Sequence, residues 1–187
     1  PSELDLSGWE ITDARLVHLA GMKNLQELNL SGTQITDAGL EKLAGLKLKE
    51  LRIPDEAETD LGLKHYLAAI EEPRELNLSG WEITDAGLAK LAGMKNLQHL
   101  YLEGTGITDA GLVHLAGMKN LQHLYLEGTG ITDAGLVHLA GMKNLQHLYL
   151  EGTGITDAGL EKLQKALPRC RIERGPNLPP PESEIER

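Results

Sequence analysis

Three side-chain types recur at intervals of 24 residues in the second half of the chain: His99, His123 and His147; Tyr101, Tyr125 and Tyr149; Glu103, Glu127 and Glu151. Imidazole, phenol and carboxylate can move protons, ligate metals or recognise a partner, so their spacing decides which of these is open. On equivalent strands, the members of each triplet would stand about 4.8 Å apart in a straight row. A row of imidazoles does not converge on one point as a tetrahedral zinc site requires. A row of carboxylates supplies hard oxygens but no calcium-wrapping loop. We therefore expect no metal and no cofactor. Catalysis has no better footing, because nucleophile elbow, HExxH and Cys-His pairing are all missing. An open row also lacks the enclosed pocket in which pKa values shift. Recognition remains: Tyr offers a large rigid area with a polar tip, and the nine residues form the expected partner-binding face.

The unit that carries them must be a stacked element, since a period between 20 and 50 residues marks repeat architecture. Residues 97–120, LQHLYLEGTGITDAGLVHLAGMKN, recur unchanged at 121–144, and their first sixteen residues return at 145–160. Seven units start at positions 1, 25, 48, 73, 97, 121 and 145, so the repeat array spans 1–167 and an end segment spans 168–187. Within a unit, Leu97, Leu100 and Leu102 alternate as a short strand, Leu100 to Leu102 give or take a residue, with its leucines inward. Gly104 and Gly106 allow a tight turn, Thr105 between them points into the stack, and Ile107 closes it. Thr108 is an N-cap, Asp109 suits a first helical turn, and Leu112, Leu115 and Met118 form the buried face of the helix that follows. A strand, turn and helix in 24 residues leave room for one parallel, right-handed crossover. His18, His114 and His138 then fall on the exposed helix side.

The pattern LxxLxLxxTxI followed by TDAGL, met seven times in register, resembles the leucine-rich repeat family. The ITDAGL string is most similar to its cysteine-containing class and bacterial relatives, with Thr33, Thr105, Thr129 and Thr153 where that class carries Asn or Cys. The resemblance implies an α/β fold: a right-handed leucine-rich-repeat solenoid, or horseshoe, with a parallel β-sheet on the concave side and helices on the convex side. It also implies a ladder of threonine hydroxyls bonded to the turn backbone.

Two departures carry information. The third unit replaces the glycine turn with Pro54-Asp55-Glu56-Ala57-Glu58 and runs 25 residues after one of 23, predicting an irregular turn and a longer helix ending near Ile70. Trp9 and Trp81 replace the turn threonine in the first and fourth units. Trp81 directly follows the irregular unit, so its indole is expected to fill the volume that the missing glycine turn leaves open. The same context at Trp9 suggests that an irregular unit preceded Pro1, that is, a fragment. At the other end, Leu167, Cys170 and Ile172 fit the inward positions of a capping strand. Gly175 opens a Pro-rich, charged tail expected to be extended or disordered.

Composition sets the limits. The 41% hydrophobic content includes two Trp, four Tyr and no Phe, which calls for an aliphatic core. A formal charge of −10 without a basic stripe excludes nucleic acid and favours a basic partner. The single cysteine excludes a disulfide framework and leaves the compartment open. No apolar run approaches the roughly 20 residues of a bilayer span, so no membrane partner is expected. The strand positions divide the concave face near Asn96: Glu3, Glu27, Glu50 and Glu75 hold the histidine column in the earlier units. The resulting expectation is a non-enzymatic interaction module binding a protein or peptide on its concave face. The alternative is a structural or self-assembling array, natural or consensus-engineered, with self-association through ends or edges.

Overall fold

In the computed structural model, which describes residues 1–175, each unit contributes one three-residue strand. These are β1 (Glu3–Asp5), β2 (Glu27–Asn29), β3 (Glu50–Arg52), β4 (Glu75–Asn77), β5 (His99–Tyr101), β6 (His123–Tyr125), β7 (His147–Tyr149) and, after the seventh unit, β8 (Arg171–Glu173). All neighbouring pairs are parallel and in register, with His99 opposite His123 and His123 opposite His147. The central leucines of β2 to β7 point into the core and are buried. The fold is the α/β solenoid expected. Its concave side carries two sheets, β1-β2-β3 and β4 through β8 in sequence order, which are not paired with each other.

The break has a local cause. The chain leaving the third unit's helix is held beside Leu48, whose N–H donates to the Ala69 carbonyl at 2.9 Å and whose carbonyl accepts from Glu71 N at 2.8 Å. Glu71 to Pro73 then lead away before β4 begins, and Pro73 has no N–H to offer a ladder. Trp81 is 7% exposed and meets the Tyr66 ring edge-on at 5.4 Å, so its indole does pack against the irregular unit. Trp9, in an identical nine-residue context, is 62% exposed.

On the convex side, among the described residues, only two helices reach ten residues, α1 (Asp60–Ala69) and α4 (Asp157–Ala166); α2 (Asp85–Leu88) and α3 (Leu136–Leu139) are single turns. The fifth unit has a 3₁₀ turn over Gly111–His114 and not the helix expected from Thr108 onward. The sixth unit, identical in sequence, closes a single α turn over Leu136–Leu139, so a spacing of three along Leu112, Leu115 and Met118 goes with either kind of single turn. The step of four from Leu163 to Leu167 in the seventh unit, by contrast, accompanies a ten-residue α-helix.

Two hydrogen-bond ladders tie the units. The threonine hydroxyls of Thr33, Thr105, Thr129 and Thr153 donate to the carbonyls of Leu30, Leu102, Leu126 and Leu150 at 2.6–2.7 Å, as the resemblance implied. The second ladder was not foreseen. Asp13, Asp60, Asp85, Asp109 and Asp133 each accept the N–H and the hydroxyl of the threonine one unit on, as Asp109 does from Thr132 at 2.8 and 2.6 Å. At the end of the series Asp157 pairs instead with Arg174. The ladder also accounts for the glycine of TDAG: a Cβ on Gly135 would stand 2.4 Å from Asp109 Oδ1.

Beyond α4, Leu167 and Cys170 are buried, Ile172 is half-buried, and β8 pairs with β7. Of the Pro-rich tail, everything after Gly175 lies outside the described residues.

Candidate functional site

The nine candidate residues lie on and beside three identical strands. Leu100, Leu124 and Leu148 face the core with no accessible surface, so His and Tyr on either side of each must turn outward. Parallel register brings like beside like. The His99 and His123 rings stack at 4.3 Å and 7°, and His123 and His147 at 4.7 Å and 9°. Tyr101 and Tyr125 stack at 4.3 Å, and Tyr125 and Tyr149 at 4.5 Å and 4°. Sequence-adjacent columns also meet, with the His147 and Tyr149 rings 6.4 Å apart. Each residue of the set is half-buried apart from Glu151, which is exposed.

Stacking has a cost in burial and charge that falls on the middle member of each column, and in the tyrosine column on Tyr149 as well. Burial and the neighbouring His99 and His147 hold the His123 imidazole below its usual pKa. Burial, with Glu103 and Glu151 on either side, pushes the Glu127 carboxyl above its usual range. Burial and Tyr101 raise the Tyr125 phenol likewise. Glu103 is partly relieved by the Ser79 hydroxyl, which donates to it. Glu127 Oε2 and His147 Nδ1 are buried atoms with no hydrogen-bond partner among the described residues. The face is thus an aromatic strip beside a carboxylate row, with one acceptor and one ring nitrogen still to be satisfied.

What it can do chemically follows from the rows. Among the described residues no group of three or more His, Cys, Asp or Glu side chains is arranged to hold a metal ion. The first sheet presents a different surface, where Glu50 and Arg52 form an exposed ion pair at 2.7 Å within a shallow groove shared with Glu3, Asp5, Glu27 and Asn29. The compositional boundary near Asn96 therefore falls one strand after the structural one, because β4 carries Glu75 and Asn77 but pairs with β5. Sequence reasoning missed Tyr66, which lines the gap between the two sheets and packs on Trp81; lying in the unit that does not repeat, it had no periodic signal.

Comparison with known proteins agrees with this architecture. A family model described as leucine rich repeat matches residues 95–155, and a second of the same description matches 21–44 and 74–92, so that the irregular third unit falls in the unmatched interval. The fold is similar to that of internalin C2 of Listeria monocytogenes, with 25% identity, a TM-score of 0.53, and 91% of this chain covering 80% of that one. A leucine-rich repeat protein of Leptospira interrogans is 26% identical with a TM-score of 0.52; the match takes in 84% of this chain and only 39% of the other. A further Listeria monocytogenes internalin shares the fold at 18% identity and a TM-score of 0.57, over 94% of this chain and 54% of its own. No curated protein matches the sequence. Recurring leucines, hydroxyl-bonded turns and parallel three-residue strands meet the family models over more than half of the sequence, and the chain belongs to the leucine-rich repeat family.

Proposed function

We propose that this chain is a non-enzymatic recognition module that binds a protein or peptide on the concave face of β5, β6 and β7. The observation that carries the reading is the pair of stacked columns. Nothing in the packing of the core requires His and Tyr at outward positions, where Glu, Asp, Asn and Arg serve in β1 to β4. Rigid, half-buried aromatic rings lose little freedom on binding and supply contact area, which suits them to anchor a partner. The raised Glu127 carboxyl and its unpartnered Oε2 favour a partner that brings donors, and above all a cation, to the acidic row. Basic peptide segments have that chemistry.

The test is selection of displayed peptides on the intact chain, followed by binding to the Tyr101→Ser, Tyr125→Ser, Tyr149→Ser triple variant. Selected peptides should be rich in Lys and Arg, and the variant should bind them at least about tenfold more weakly, each tenfold being about 1.4 kcal/mol. Peptides that bind the variant unchanged would place recognition elsewhere. Self-assembly is the second reading, and light scattering over a range of concentrations distinguishes it by growth of the particle mass.

A further inference from the structure

The unpaired junction between β3 and β4 is a cleft of about 250 Å³, lined by Lys49, Tyr66 and Ile70 on one side and by Glu71, Glu72, Pro73, Glu75, Leu76 and Asn77 on the other. Three features coincide there. First, both strands turn free backbone groups toward it. On paired strands the residues equivalent to Glu75 and Asn77 bond back to the preceding strand, as His99 N does to the Arg74 carbonyl and Tyr101 does through its carbonyl to Leu78 N. Among the described residues β4 has no such partner, and Leu51 on β3 and Ile53 just after it face the same gap, since Glu50 N and the Arg52 carbonyl already bond toward β2. Second, the floor is apolar: Leu76 is buried, Ile70 is half-buried, and the Tyr66 ring is wedged against Trp81. Third, the rim is acidic. Glu71, Glu72 and Glu75 stand against Lys49 alone and form no ion pair among the described residues; Glu72 accepts only uncharged N–H groups of Lys95 and Asn96.

We propose that this cleft is a second binding site, which takes an extended basic peptide of another protein as an added strand along the free edges of β3 and β4. Free sheet edges recruit extended chains through main-chain hydrogen bonds, and alternate side chains select the sequence. Here one face of the peptide would set small apolar side chains on Leu76, Ile70 and Tyr66, and the other would bring Lys or Arg to Glu71 and Glu75. A lone cation would satisfy the rim but neither the apolar floor nor the strand edges. The site is separate from the aromatic columns of β5 to β7 and stands or falls without them.

Residue-resolved hydrogen exchange on the full chain tests it, with a doubly blocked Lys-Val-Lys-Val-Lys peptide as probe and Glu-Val-Glu-Val-Glu as its control. In the free chain the Leu51, Ile53, Glu75 and Asn77 amides should exchange at least about tenfold faster than those of Leu100 and Tyr101. Millimolar basic peptide should slow these four amides about tenfold or more, and the acidic peptide should not. Glu75→Lys should remove that protection while leaving exchange in the free chain unaltered. The proposal is overturned if the four amides are already as slow as those of β5, if the basic peptide protects only other strands, or if Glu75→Lys binds it equally well.

Discussion

The aspartate ladder makes a prediction that can be worked through from distances. Asp109→Ala removes two charge-assisted hydrogen bonds to the next unit, from Thr132 N at 2.8 Å and Thr132 Oγ1 at 2.6 Å. They lie near solvent, so each contributes at the low end of the usual range, about 1 kcal/mol, and the variant should lose about 2 kcal/mol. Gly135→Ala is the complementary change. Gly135 has φ −75° and ψ −20°, which alanine adopts freely, so the backbone alone would gain about 0.5 kcal/mol from a stiffer unfolded chain. The new Cβ, however, would stand 2.4 Å from Asp109 Oδ1 and 2.8 Å from Leu112 Cδ1. The leucine tip can rotate away, but the carboxylate cannot move without breaking both of its bonds. Gly135→Ala should therefore cost about 1.5 kcal/mol, the bonds lost less the backbone gain.

The double variant separates this account from simple additivity. Once Asp109 is alanine, the added Cβ meets no carboxylate, and Gly135→Ala becomes neutral or slightly stabilising. The two changes together should cost about 1.5 kcal/mol, against about 3.5 kcal/mol for their sum, a coupling of about 2 kcal/mol. Urea unfolding followed by circular dichroism is the assay. With a slope near the upper end for small proteins, about 3 kcal/mol/M, the coupling moves the midpoint by roughly 0.7 M. Asp85 and Gly111 repeat the geometry one unit earlier, with a contact of 2.3 Å, and should give the same value. Additivity within about 0.5 kcal/mol at both sites would refute the assignment of that glycine to the ladder.

Three other expectations can be measured directly. Trp81→Ala should cost about 3–5 kcal/mol, because the indole is buried against Tyr66, whereas Trp9→Ala should stay within about 0.5 kcal/mol; equal losses in thermal unfolding would contradict the packing described. Burial pushes the Cys170 thiol up to about 11, so at pH 8 a disulfide reagent should modify the native protein far more slowly than the urea-unfolded one, and equal rates would show an open end to the array. The pH dependence of stability has two opposing parts. His123 is depressed in the folded state, so its contribution is present above the ordinary imidazole value and is lost as the pH falls through the folded one. Glu127 is raised, so its contribution is present below the ordinary carboxylate value and is lost as the pH rises through the folded one. His123→Gln should flatten the loss below pH 6.5 and Glu127→Gln the loss above pH 4.5 in urea midpoints; unchanged profiles would refute the stacking electrostatics.

The extent to which the sequence revealed this molecule follows the range of the interactions. Leu97, Leu100, Leu102 and Ile107 act within one unit, and their alternation alone gives the strand, its inward face and, by repetition, the parallel register. Thr105 is also local, since its hydroxyl reaches a carbonyl three residues back. Asp109 is different: its partners are 23 residues away, so a reading confined to one unit saw only an anion at the start of a helix. The short convex turns were not legible, because the same leucine spacing gives a 3₁₀ turn at Gly111–His114 and an α turn at Leu136–Leu139, while the helix-start signal at Thr108-Asp109 points to a full helix. At the candidate site, the columns of His, Tyr and Glu were legible because identical units in register must place identical side chains in rows. Their stacking angles and the imbalance at Glu127 were not, because they depend on the distance between neighbouring strands. Tyr66 was out of reach for the opposite reason, as it belongs to the one unit that does not repeat.

The irregular unit also decides how the two halves of the array hold together. A solenoid is stable only through contacts between neighbouring units, so a missing sheet ladder should make its weakest interface. At the junction of the third and fourth units that loss is offset on the other side. Asp60 still accepts both bonds from Thr84, at 2.9 and 2.6 Å, and Trp81 packs on Tyr66. One unit earlier Asp37 retains the Thr59 hydroxyl at 2.7 Å. Cohesion is therefore shifted away from the concave face, where backbone groups are left without partners among the described residues, to the aspartate ladder and the aromatic wedge. A defect in folding would weaken every layer of the junction alike. Here one layer is opened while the others are reinforced by a residue pair, Tyr66 and Trp81, found at no other junction between described units. That arrangement keeps the array intact across the third unit and leaves the cleft between β3 and β4 open on the concave side.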